Sequence, residues 1–244
     1  MLLVVNPRIS RVVVNAFRRS GVFGDLAPTS DVSRRPGPTL RTAPSPGAGS
    51  INTVSIRVVG IGGSVDAGSQ SDRVLRAALS AVARLGAEVE VFSGLDLDLP
   101  PYHSRAVLPD ATRDYVDAVR RADAVVVSSP GYHGTVSGLV KNALDYLEEL
   151  RGDHRPYLDG RPVALIAVAR GWQASVATLG TLRQVVHSLR GWPTPLGLAI
   201  NSSVTMFDES GGTQDASTAA AIDVMAGQLI DFARRWQPPG SDAG

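Results

Sequence analysis

From Ser55 onward, apolar and polar positions alternate in a repeating order. Ile56–Ile61 is a short apolar run ending in Gly-Gly-Ser, which predicts a buried strand and a turn. Val74, Leu75, Ala78, Leu79 and Val82 then recur at helical spacing. Val89–Phe92 reads as a second strand, followed by the proline loop Leu99-Pro100-Pro101-Tyr102. Residues 111–121 read as a helix with Tyr115, Ala118 and Val119 on one face. Ala124–Ser128 is a third strand and Ser137–Leu150 a strong helix. Val163–Ala169 is a fourth strand, Val176–Leu189 a helix and Leu198–Asn201 a fifth strand. A last helix runs from about Ala216 to Trp236, with Ile222, Met225, Leu229, Phe232 and Trp236 expected inward.

Near-continuous apolar strands alternating with amphipathic helices predict an α/β fold whose parallel sheet is covered on both faces. Right-handed crossovers make it a doubly wound three-layer sandwich. Five strands suit the flavodoxin-like order 2-1-3-4-5, with the ligand outside the carboxyl ends of the strands. The loops after Ile61, Ser128 and Ala169 are therefore where chemistry is expected.

The first of these loops is Gly62-Gly63-Ser64-Val65-Asp66-Ala67-Gly68-Ser69-Gln70-Ser71. Its glycines let backbone amides converge, its serines offer hydroxyls, and it feeds a helix N-terminus that favours an anion. That is a candidate phosphate cradle, although a capped Ser/Gly turn has the same composition. It lacks Gly-Lys-Ser/Thr, so it is no nucleotide-triphosphate loop. The second loop, Ser129-Pro130-Gly131-Tyr132-His133-Gly134, reads as an open turn whose amides can face a planar heterocycle, with Tyr132 as an aromatic wall or as partial core. Lys141 and Asn142 follow on the helix, on a solvated or subunit-facing surface. The third loop is Arg170-Gly171-Trp172-Gln173-Ala174-Ser175, where Trp172 either covers a ring or is structural.

Composition narrows the chemistry. The 244 residues contain no cysteine, which excludes disulfides, iron–sulfur clusters, thiol nucleophiles and Cys-based zinc sites. The four histidines have no metal-ligand spacing. Formal net charge is +1, so no global field for nucleic acid exists, and no apolar run is long enough to span a bilayer. Charge is uneven, however. Residues 1–53 hold seven Arg against two Asp, a balance of +5 that leaves −4 for the rest. With six Pro and five Gly, that segment reads as a disordered basic Pro/Ser/Gly-rich extension. Its Arg-rich, acid-poor start also fits a transit peptide or a membrane-surface helix. Residues 54–238 form the expected domain and 239–244 a disordered tail.

Ser129-Pro130-Gly131-Tyr132-His133-Gly134 and the helix through Lys141, Asn142 and Asp145 resemble the P-x-Y-x-G-x-x-x-G-x-x-K-N-x-x-D signature of the NADPH-dependent FMN reductase family. The first loop is similar to that family's G-S-x-R-x-x-S-x-N phosphate loop, with Gly63, Ser64 and Ser69 in place. It departs at Asp66, where the family has arginine, and at Ser71, where it has asparagine. The likeness covers Ile56 to Trp236. It implies a flavodoxin-like, cytoplasmic oxidoreductase with FMN as cofactor and NAD(P)H as donor, and with no catalytic side chain and no metal. Ser64, Ser69, Gln70 and Ser71 would hold the phosphate. Pro130, Gly131, Tyr132, His133 and Gly134 would line the isoalloxazine, and Arg170, Gly171 and Trp172 would close the other side. The implied partners are free flavin or a small-molecule acceptor (quinone, azo dye, nitro compound or chromate), a monooxygenase receiving reduced flavin, and further copies of the chain in a homodimer or homotetramer. A flavodoxin-type electron carrier is the alternative from another class. For the oligomer, Leu139, Ala143 and Leu147 form one helical face and Val140 and Leu144 the next, so that one face would serve the sheet and the other a partner.

Overall fold

The computed structural model describes residues 55–66, 68–104 and 107–236. The expected extension over 1–53 and the tail over 239–244 lie outside the described residues.

Apolar runs form the central strands because both of their faces are covered. β1 (Arg57–Gly62) and β3 (Ala124–Tyr132) pair in parallel, as do β3 and β5 (Pro162–Ala169), and every residue of β5 is buried. β2 (Glu88–Phe92) pairs with β1 at one edge. The far edge is shared: β6 (Trp192–Pro193) pairs with β5 at Pro162 and Val163, and β7 (Leu198–Asn201) pairs with it from Ile166 to Ala169. The order is thus β2-β1-β3-β5 with β6 and β7 beside β5, the expected five-position parallel sheet with its last position split. The Trp192 and Thr194 amides donate to the Arg161 and Val163 carbonyls, so Pro193 and Pro195 fall on the outward side of this edge, and the ladder breaks where the Leu196 amide turns to Gln228 Oε1.

Alternate residues of each strand feed two cores. Val58, Val126, Ala164, Ile166 and Val168 pack under α1 (Gln70–Arg84) and the C-terminal helix α5 (Ala216–Arg235). Val59, Ile61, Val125, Val127, Val163 and Leu165 pack under α2 (Asp110–Arg121), α3 (Gly138–Asp145) and α4 (Trp172–Ser188). The three layers follow from that period of two. Arg161, 1 % exposed, closes the end of α2 by donating from Nε to the Ala122 carbonyl and from Nη2 to the Arg120 carbonyl. Burial of that guanidinium pulls its pKa down to about 10.

Five local expectations are corrected. β3 does not stop at Ser128 but runs on to Tyr132 and returns as the antiparallel β4 (Thr135–Val136). The helix expected over Ser137–Leu150 is α-helical only to Asp145, then tightens to 3-10 over Tyr146–Leu150. Leu147 and Leu150, three apart, both lie in the core there, as the three-residue period requires. The helix expected from Val176 begins at Trp172, so the third loop shortens to Arg170 and Gly171. Trp236 is not inward: it is 52 % exposed and stacks on Phe232 with ring centroids 5.7 Å apart. Finally, Val140, Ala143, Leu144 and Leu147 are all buried within the chain and Leu139 is half-buried against them, so the two faces are not divided between sheet and partner as expected.

Candidate functional site

The carboxyl ends of the strands meet at one edge. Register places Gly62 beside Ser128, Pro130 beside Val168 and Ala169 beside Asn201. Glycines then let the three loops touch. A Cβ on Gly63 would stand 2.6 Å from Pro130 Cδ and 2.9 Å from the Ser128 carbonyl oxygen, so the first loop is seated on the second. A Cβ on Gly131 would stand 2.7 Å from Thr178 Oγ1 and 3.3 Å from the Ala174 carbonyl oxygen, so the second is seated on α4. The Ser128 hydroxyl donates to the Ser71 carbonyl at 2.8 Å and locks β3 to the start of α1.

Within the first loop the serines bond to the loop itself. Ser64, buried, accepts from the Asp66 amide at 3.1 Å. Ser69 is the N-cap of α1, accepting from the Asp72 amide, and its hydroxyl lies 3.1 Å from that of buried Ser71. Asp66 is exposed. Gln70 is committed elsewhere: its amide donates to the Phe207 carbonyl at 3.0 Å and accepts from the Phe207 N–H at 2.8 Å. Each end of the side-chain amide thus holds one backbone partner at Phe207. Arg73 Nη1 donates to the same carbonyl at 2.9 Å.

The second loop is a tight hairpin rather than an open turn. Gly131 pairs with Val136 and Tyr132 with Thr135, leaving His133 (φ 52°) and Gly134 (φ 85°) at the tip. Two successive positive φ values are what a type I′ turn requires. Tyr132 is 56 % exposed and is not core. Ser129 Oγ accepts from the Ser137 amide, and Ser137 caps α3 by accepting from the Val140 amide. Asn142 is a clamp: Nδ2 donates to the Leu99 and Pro100 carbonyls and Oδ1 accepts from the Tyr102 amide at 2.8 Å. Tyr102 in turn donates to Glu149, and burial with that contact raises its pKa to about 12. Lys141 is exposed and pairs with Asp145 at 2.6 Å.

At the third loop Gly171 is the N-cap of α4, which no side chain caps. Amides of that first turn are left facing the carboxyl edge of the sheet. Trp172 is 51 % exposed and Arg170 is exposed. The Arg170 carbonyl accepts from Ser203 Oγ at 2.8 Å and the Ala169 carbonyl from the Ser202 amide. Thus a fourth segment, the connection from β7 to α5, is tied to the edge, and sequence reasoning missed it. Its length and its Asp208-Glu209-Ser210-Gly211-Gly212 run were the available signals.

Among the described residues no group of His, Cys, Asp and Glu could hold a metal, and no helix is long and apolar enough to cross a membrane. Residues 56–205 match the NADPH-dependent FMN reductase family. An NAD(P)H-dependent FMN reductase of Pseudomonas aeruginosa is 27 % identical over 182 residues, covering 74 % of this chain and 96 % of its own length. An FMN-dependent NADPH-azoreductase of Staphylococcus aureus is 30 % identical over 122 residues, 49 % of this chain and 61 % of the other. In structure, FerB, a flavoenzyme NAD(P)H:(acceptor) oxidoreductase from Paracoccus denitrificans, superposes with a TM-score of 0.61 at 19 % identity, covering 74 % of this chain and 98 % of its own. With that match across the sheet and all three loops, the chain belongs to the NADPH-dependent FMN reductase family, flavodoxin-like oxidoreductases that work with FMN and NAD(P)H.

Proposed function

We propose that the three loops form the FMN site and that the enzyme reduces FMN at the expense of NAD(P)H. The observation that carries this reading is the contact between the loops, which leaves no room for a Cβ at Gly63 or Gly131. Ser64, Ser69, Ser71 and the N-terminus of α1 would hold the phosphate. Pro130 to Gly134 would line the isoalloxazine, and Arg170, Gly171 and Trp172 would close the far side. Gln70 supports the cradle through Phe207 without touching the ligand.

Held there, FMN would supply the two-electron redox chemistry between NAD(P)H and an acceptor. The chain's own residues bind and orient. Ser129, Ser137 and the β-bridge hold the β3–β4 hairpin at both ends, so it would orient a bound ring. Backbone donors there and at the uncapped start of α4 suit a ring edge that gains negative charge. No side chain acts as acid or base in this scheme.

Tyr132 and Trp172 stand half exposed beside the site, open to a planar acceptor. That exposure, with the azoreductase likeness, favours azo dyes or quinones as a second acceptor class besides free FMN. It also favours a homodimer or homotetramer whose second copy covers the two rings. The reaction belongs in the cytoplasm, where NAD(P)H is supplied, and released reduced flavin would serve a monooxygenase.

The purified protein should show flavin absorption, as isolated or after adding FMN, that bleaches anaerobically with NADPH or NADH. A protein that takes up no FMN overturns the reading. Comparing turnover with free FMN, a quinone and an azo dye identifies the acceptor, and light scattering reads the oligomer.

A further inference from the structure

We propose that Arg73, from one turn inside α1, supplies the phosphate cation that the first loop lacks. This inference rests on the FMN site above. In this chain the loop position that is arginine in the family is Asp66, an exposed carboxylate that would repel a phosphate dianion. A cation must come from elsewhere, or the phosphate is held by hydroxyls and the helix end alone.

Two arginines stand close to the loop. Arg76 is already committed: its Nε meets Asp72 at 2.8 Å. Arg73 is not committed to a carboxylate, and it forms no ion pair among the described residues. Its amide donates to the Ser69 carbonyl at 2.9 Å, so it lies one full turn after the cap. Helical Cα–Cβ bonds tilt toward the N-terminus, which returns its long side chain to the loop. There, Nη2 lies 3.9 Å from where a Cβ on Gly68 would stand.

The guanidinium is held but not satisfied. Nη1 donates to the Phe207 carbonyl at 2.9 Å, while Nε is buried with no acceptor among the described residues. Its charge reaches Asp208, but that carboxylate is held chiefly by Ser210 and Gly212. The β7–α5 connection therefore acts as a brace. Through one backbone carbonyl, Phe207 aims Arg73 and occupies Gln70. Because Gln70 grips Phe207 by two bonds of its own, removing Arg73 leaves the brace attached.

The test compares FMN with riboflavin, which is the same ring without the phosphate. Dissociation constants for the full-length apo-protein are read by fluorescence quenching. Arg73→Gln should weaken FMN about tenfold or more, most at low salt, while riboflavin changes less than about twofold. Asp66→Arg in the Arg73→Gln background should restore the preference for FMN, since it returns the cation to the loop. Equal losses for both flavins would overturn the proposal, making Arg73 a brace for the fold. Unchanged FMN affinity would overturn it as well. A wild-type protein that binds neither flavin would instead overturn the FMN reading itself, and this inference with it.

Discussion

Gly63 and Gly134 both lie in the proposed site, and they need to be glycine for opposite reasons. Gly63 lacks space: its Cβ would strike Pro130, Val140 and the Ser128 carbonyl, all within 2.9 Å. Gly134 has space, with nothing within 4 Å of its Cβ direction, but its φ of 85° is one that a β-branched residue resists. Gly134→Val should therefore leave the core intact and distort the hairpin tip. We expect a loss of roughly 1–2 kcal/mol in stability and weaker FMN binding, read by thermal melts and flavin titration. Unchanged FMN affinity in a folded variant would remove this hairpin from the flavin site. Gly63→Ala, which needs no unusual φ, should be the more damaging change, at roughly 1–3 kcal/mol from overpacking.

Helix ends decide how the elements are held, and α5 offers the clearest test. Asp215 caps it by accepting from the Ser217 and Thr218 amides, and it also accepts from the hydroxyls of Ser217, Thr218 and Thr205. Those bonds favour the carboxylate and push its pKa well down, with the Ser217 hydroxyl the largest cause. A depressed folded pKa stabilises the protein above the unfolded value, about 3.9, and that contribution fades as pH falls through the folded one. Asp215→Ala should cost about 1–2 kcal/mol at neutral pH. The gap to wild type should narrow below about pH 4, measured by urea unfolding at pH 7 and pH 3. A gap that stays constant with pH would mean that the carboxylate's charge adds nothing to the cap. At α3 the same logic applies to Asn142, whose three bonds to the Leu99–Tyr102 loop leave backbone groups unpaired if it is cut back. Asn142→Ala should cost roughly 1–3 kcal/mol by chemical denaturation.

For the molecule as a whole, the described residues between 55 and 236 build a core on each face of the sheet, with helices packed over both. The basic segment before it has the composition of a chain that buries little. We propose that a chain starting at Val54 keeps its melting temperature and FMN affinity within error. A fall in either on truncation would mean that residues 1–53 dock on the body.

The order of the main strands and helices, the two covered faces of the sheet and the positions of the three loops at the strand ends were legible in the sequence, because each rests on a local period or on glycine and proline punctuation. The signature around Pro130, Tyr132 and Gly134 was legible as a resemblance to the family that the match over residues 56–205 bears out. What only the tertiary structure decided were the partners of polar side chains. Gln70, between Ser69 and Ser71 in sequence, bonds to Phe207, 137 residues away. Asn142, expected on a solvated or subunit-facing surface, clamps a loop 40 residues earlier. Trp236 had the period of a core residue, but the helix ends at Arg235 and the ring stays half in solvent against Phe232. Periodicity gives a residue its face on an element; a hydrogen bond also needs a partner at about 3 Å, and which partner arrives is set by how distant elements pack.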